Sequence, residues 1–220
     1  MLILSALPDF LRGGLNTLIY CIASFPIALL VGLVLATMTK SRFIWLRMPA
    51  RIFIEVMRST PLITQIFLLY YGVGAVLVNF NLSTLANAWV VGIGSLALNY
   101  AAYEAEVFRA GFLSVESGQT EAAFSLGLTS KQNFFRIVLP QAIPVMLPPL
   151  VNDFIFMLKD SAIVSVISGA ELTSVLQFWT IRNSSNTLPL FALALVLYLL
   201  LSLPISYVGR FLEGKLRAAS

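Results

Sequence analysis

Between Gly13 and Thr39 the chain carries no charged residue. As an α-helix such a run extends roughly 40 Å, more than the hydrocarbon core of a bilayer at about 30 Å. A second charge-free run, from Ser59 to Tyr103, is about twice the length of one crossing and is interrupted by Asn79, Asn81, Ser83, Thr84 and Asn87. Two spans joined by a short loop fit it best. A further apolar region begins at Ile137 and contains Pro140, Pro144, Pro148 and Pro149, so it is expected to cross as an interrupted helix rather than a straight one. The last charge-free run, Asn183 to Gly209, becomes strongly apolar at Leu188. The expectation is an all-α membrane protein of one domain, 1–220, with about five transmembrane helices near 14–39, 59–79, 87–108, 138–158 and 187–210.

Composition agrees: 59% of the residues are hydrophobic and 11% charged, far from the usage of soluble domains. There is no histidine and only one cysteine, Cys21, which removes a zinc site, a histidine general base and an internal disulfide. The net charge of +4 is not a nucleic-acid stripe, because the basic residues fall in clusters between apolar runs. Lys40, Arg42, Arg47, Arg51 and Arg58 follow span one, Arg109, Lys131 and Arg136 follow span three, and Arg210, Lys215 and Arg217 end the chain. With positive charge retained inside, the N-terminus is expected outside and the C-terminus in the cytoplasm. The first ten residues show no basic flank and no small-residue cleavage pattern, so span one is expected to serve as its own signal.

The longest polar segment, Glu104 to Pro140, parses as two short helices. Thr120 is expected to cap the first, Glu121 to suit its positive end and Gly127 to form its C-terminal turn. Thr129 and Gln132 form a capping-box pattern for the second, expected to stop before Pro140. Ala122, Ala123 and Leu126 give the first helix a small apolar face, suited either to docking in a partner's groove or to lying on the membrane surface. Glu121, Ala122, Ala123, then Gly127 and Leu139-Pro140 resemble the coupling-loop signature of ABC importer permeases. The resemblance continues through Arg58 to Leu62, through Asn99, Ala102, Tyr103, Glu106 and Arg109, and through Gly118 and Gln119. It resumes at Pro140, Gln141 and Ala142, then Asn152, Lys159, Asp160, Ser161, Glu171 and Leu172, matching the polar amino-acid branch over about two thirds of the chain.

The resemblance implies a type I ABC importer permease fold with a coupling loop over 117–139, in a prokaryotic cytoplasmic membrane. It also implies a second permease subunit, two ABC ATPase subunits that hold ATP and magnesium, and an extracytoplasmic binding protein. The cargo would be a polar amino acid, basic ones included. Glu121, Ala122, Ala123, Leu126 and Gly127 would couple to the ATPase, and Thr60 would join the pathway. Ser59 departs from the usual glycine and Ala162 from the usual serine.

Ionisable groups at membrane depth need a reason, since even the mildest scale charges about 2.5 kcal/mol for each. Asn99, Tyr103 and Glu106 recur at i, i+4 and i+7 and share one face of span three, as pathway lining or as interhelical glue. Asp153 and Asp160 are seven apart, with Lys159 on an adjoining face. They suit a midplane site at a broken helix, or else an ion pair of Lys159 with Asp160. Gln65 could contact a ligand or tie helices together. Glu55 and Arg58 are spaced to pair, Glu106 could pair with Arg109, and Glu104 is rotated towards solvent or headgroups. No phosphate-binding loop is present, so the chain is expected to have no enzymatic activity and no cofactor of its own. The main alternative is an ion-coupled secondary transporter with a protonatable Glu106, Asp153 or Asp160. A membrane enzyme acting on lipid ranks last.

Overall fold

The computed structural model describes residues 2–219. Its long helices are α1 (Leu2–Thr39), α5 (Ala88–Leu113), α8 (Leu139–Asp160) and α10 (Leu188–Ala219). Between α1 and α5 lie α2 (Ile44–Ser59), α3 (Leu62–Phe67), a π-helical stretch Leu68–Val73 and α4 (Gly74–Asn79). Between α5 and α8 lie α6 (Ser117–Ser125), α7 (Ser130–Asn133) and a second π-helical stretch, Phe134–Val138; α9 (Leu172–Arg182) precedes α10. Four helical tracts are long and apolar enough to cross a membrane: Leu2–Thr39, Leu62–Asn79, Ser130–Ile167 and Leu188–Lys215. The long helix α5, outside those four tracts, is more polar because it carries Asn99, Tyr100, Tyr103 and Glu104, and it is the most enclosed by its neighbours, with Asn99, Tyr100 and Glu104 all buried.

Small residues decide the central contact. Ala28, Gly32 and Ala36 recur every fourth residue on α1, and Ala97, Ala101 and Ala105 do the same on α5; all six are buried. Such small-residue ladders let two helix backbones approach closely where lipid offers no hydrophobic drive for association. At Gly32 the approach is closest: a Cβ there would stand 2.8 Å from Cβ of Glu104 and 3.0 Å from the carbonyl oxygen of Ala101. A second knot of packing joins Tyr20, stacked on Trp89 at 4.3 Å between ring centroids, to Ile66, Leu96, Met157 and Val164.

Most of the basic cluster that follows span one lies on a helix. In α2 the exposed residues Ile44, Met48, Ile52 and Val56 repeat every fourth position, while Arg47, Arg51 and Arg58 fall on other faces. It is an amphipathic helix of the kind that lies at an interface, separated from α3 by the extended residues Thr60 and Pro61.

The prolines do not break α8. Pro144, Pro148 and Pro149 lie inside one continuous helix, and Pro140 sits in its first turn, where a missing N–H costs least. The helix expected to end before Pro140 therefore runs on. The irregular geometry falls at either end instead, in the π-helical stretch before α8 and in the 3-10 stretch Ser161–Ile167 directly after Asp160.

The α6–α7 segment follows its turn chemistry. Gly127 has φ +79°, and the N–H groups of Leu128 and Gly127 donate to the carbonyls of Ala123 and Phe124 at 3.0 and 2.9 Å, a Schellman ending. The Thr129–Gln132 capping box is formed, with Gln132 N–H donating to Thr129 Oγ1 at 3.3 Å. Thr120 is not a cap: α6 begins three residues earlier, and the Thr120 hydroxyl instead accepts from Asn133 Nδ2 at 3.4 Å. The expected apolar face divides. Ala123 is buried, whereas Leu126 is 81% exposed, with Phe124 beside it also exposed.

Candidate substrate pathway

Two cavities follow the polar face of α5. The first, about 180 Å³, is lined by Asn99, Tyr100, Tyr103, Asp153, Phe156 and Asp160. It lies where α5 packs against α8, and Asp160 is the last residue of α8 before the 3-10 stretch. The Tyr100 hydroxyl donates to Asp160 Oδ2 at 2.8 Å, which holds that carboxylate in one orientation, while its other oxygen accepts no hydrogen bond among the described residues. Asp153, two turns earlier on α8, supplies a second carboxylate to the same space. Lys159 is exposed and does not pair with Asp160; its ammonium lies 5.4 Å from the ring centroid of Phe156, a cavity residue.

The second cavity, about 590 Å³, is lined by Thr39, Lys40, Arg51, Ile54, Glu55, Arg58, Glu106, Arg109 and Leu113. Glu106 belongs here rather than with Asn99 and Tyr103. Its carboxylate accepts from Arg109 Nη2 at 2.6 Å and Nε at 2.9 Å, the one ion pair among the described residues. Glu55 and Arg58 do not pair, because Arg58 instead lies over the Tyr103 ring, 5.6 Å from its centroid. That contact places Arg58 between the two cavities. Burial, and then the neighbouring Arg109 charge, lower the pKa of Lys40 below its ordinary value.

Gln65 and Thr60 tie helices together. Gln65 is buried, and its Nε2 donates to Met57 O at 2.9 Å, Thr60 Oγ1 at 2.8 Å and Thr60 O at 3.2 Å. Its Oε1 accepts from Asn99 Nδ2 at 3.0 Å. Every polar atom of the Gln65 side chain is thus engaged, and Asn99 is oriented from behind as a cavity wall.

Two residues escaped sequence reasoning. Tyr100 is one position from the i, i+4 face and reads as core; only its hydroxyl makes it a site residue. Glu104 is fully buried instead of meeting solvent, and neither carboxylate oxygen has a hydrogen-bond partner among the described residues. The cause is Gly32, which brings α1 over it. Glu171 was expected only through a family motif. It is buried and caps α9, accepting from the N–H groups of Thr173 and Ser174 at 2.7 and 2.6 Å and from the Tyr198 hydroxyl at 3.1 Å.

A long helical tract through prolines, a coupling-type segment and polar cavities along the central helix describe a transport subunit. Residues 28–218 match the family described as the binding-protein-dependent transport system inner membrane component. The chain belongs to that family. It is similar to the octopine transport system permease protein OccM of Rhizobium radiobacter, 39% identical over 200 residues, covering 89% of this chain and 81% of that protein. It is 33% identical over 207 residues to the L-cystine transport system permease protein TcyB of Bacillus subtilis, covering 94% and 86%. Among solved structures it resembles an amino acid ABC transporter crystallised with histidines, 35% identical with a TM-score of 0.86, covering 97% of this chain and 96% of that one. The inward-facing methionine transporter MetNI shares the fold, with a TM-score of 0.70 at 18% identity over 92% and 95% of the two chains. This permease is therefore a multi-pass inner-membrane subunit of an ABC importer that works with other transporter subunits. The ion-coupled secondary transporter is not favoured.

Proposed function

We propose that this permease forms half of a translocation pathway for polar amino acids, and that the cavity between α5 and α8 receives the substrate. The observation that carries the reading is the convergence of Asp153 and Asp160 on one small cavity, with Tyr100 fixing Asp160. Two carboxylates favour a substrate ammonium, the α-amino group of any amino acid or the side chain of a basic one. The exposed ammonium of Lys159, beside the Phe156 ring, can meet the α-carboxylate. At about 180 Å³ the cavity is smaller than the roughly 300 Å³ from which small-ligand sites start, which supports completion of the site by a second permease subunit. The larger charged cavity then acts as the exit vestibule, with Arg58 between the two.

ATP and magnesium belong to two partner ATPase subunits, and an extracytoplasmic binding protein delivers the substrate. The N-terminus faces outside and the C-terminus the cytoplasm. On that reading α6 projects into the cytoplasm, with exposed Leu126 and Phe124 as its contact surface and Gly127 setting its exit angle. Replacing Gly127 with valine puts a β-branched residue at φ +79°, at a cost of about 1–2 kcal/mol. Transport per ATP hydrolysed is expected to fall while ATPase activity persists, checked by measuring both in one proteoliposome preparation.

The function itself is tested by reconstituting the complex that co-purifies with this chain and following uptake of radiolabelled arginine, histidine and glutamine. ATP-dependent uptake that requires an added binding protein is expected. Uptake by the chain alone under a pH gradient would sink the proposal.

A further inference from the structure

A groove formed by the end of α1, the last turns of α5, the π-helical stretch Phe134–Val138 and the first half of α8 shares no lining residue with either cavity described above. It encloses about 360 Å³, within the roughly 300–1,000 Å³ typical of small-ligand sites. Its ten lining residues are all apolar, among them Leu33, Phe108, Phe112, Ile143 and Leu150. The wide π turn sets Phe134 and Phe135 edge to face at 5.1 Å and brings Phe134 to 5.7 Å from Phe112, which gives the groove an aromatic wall.

The chemistry of the lining limits the occupant. An extended peptide would bring backbone N–H and C=O groups that find no partner there, at a cost of several kcal/mol each in hydrocarbon. A hydrocarbon chain brings none. The charge is at one end: exposed Lys40, directly after α1 and shared with the wall of the charged cavity, holds its ammonium 5.4 Å from the Phe112 ring centroid, and Arg136 in the π turn is also exposed. Arg109, the other cation close to Lys40, is already engaged by Glu106. An apolar slot in a membrane protein with a free ammonium at its mouth is complementary to an acyl chain that ends in an anionic headgroup.

We propose that this groove binds one acyl chain of an anionic phospholipid, whose phosphate is held by Lys40. The lipid fills the gap between α1, α5 and α8 on the side where α6 and α7 project, beside the segment that links α6 to the bundle.

The test is native mass spectrometry of the complete transporter, delipidated in detergent and then given equal amounts of phosphatidylglycerol and phosphatidylcholine. The wild type is expected to retain phosphatidylglycerol preferentially. Lys40→Gln should lower that preference about fivefold while total lipid retained stays similar. Ile143→Trp should reduce retention of both lipids; if that variant fails to assemble, Leu150→Phe fills the same groove more gently. Equal retention of the two lipids by the wild type overturns the proposal, as does undiminished retention in the assembled groove-filling variant. A Phe135→Cys transporter that cross-links to a second permease copy would overturn it too, by giving the groove a protein occupant.

Discussion

Asp160→Asn is expected to lower amino-acid uptake by the reconstituted transporter about 10- to 100-fold, the equivalent of losing one charge-assisted hydrogen bond worth about 1.5–3 kcal/mol. The change is close to isosteric, and the Tyr100 hydroxyl can still donate to the amide oxygen in place of Oδ2. Subunit assembly and basal ATPase activity should therefore remain. Tyr100→Phe separates position from charge: it keeps the carboxylate but frees its orientation, and should weaken uptake less. Size-exclusion chromatography alongside the uptake assay checks the pair. Should Asp160→Asn dissociate the complex, the residue would belong to assembly. Because Lys159 is exposed and makes no bond to Asp160, neutralising Asp160 strands no buried partner cation.

Gly32→Val is expected to prevent the folded protein from accumulating. The added Cβ alone would stand 2.8 Å from Cβ of Glu104 and 3.0 Å from Ala101 O, and a backbone oxygen in a packed helix cannot move aside as a flexible side-chain tip can. Overpacking costs typically about 1–3 kcal/mol, and separating the helices here would also disturb the buried, unpartnered carboxyl of Glu104. Gly32→Ala places only that first atom and should be the milder variant. Membrane expression and thermal stability in detergent read the difference; equal stability of wild type and Gly32→Val would remove the close crossing as a determinant of the fold.

Much of this architecture is legible in the sequence because membranes impose simple conditions. A charge-free run long enough to cross must become a helix, and Gly127, Thr129 and Gln132 act through local backbone geometry that needs no tertiary knowledge. The seven-residue separation of Asp153 and Asp160 likewise places both on one face before any neighbour is known, and the structure turns that face towards one cavity. What could not be read depends on the neighbours. Lys40 to Arg58 looks like a loop when its basic residues are counted for topology, although the row Ile44, Met48, Ile52 and Val56 was there to mark a helix. Glu55 and Arg58 have the right spacing for a pair, but the Tyr103 face offers Arg58 another contact. Glu104 reads as exposed because charge normally seeks water; only the approach of α1 at Gly32 buries it. Tyr100 shows the same limit at the site, since one hydrogen bond across helices separates a packing residue from a lining one. The prolines of α8 mislead in the opposite direction: each removes a local bond, yet the helix continues through them.

The bend at Thr60–Pro61 separates α2 from α3, yet it is not a free joint. Gln65 clasps main-chain carbonyls of Met57 and Thr60 on the near side of the bend while Asn99 clasps Gln65 from α5. Any swing of α2 must therefore drag α5 with it or break several amide hydrogen bonds at once. The α2 helix and the cavity wall at Asn99 thus form a single lever, and a tilt imposed at one end reaches the other through two buried amide side chains that hold each other in place.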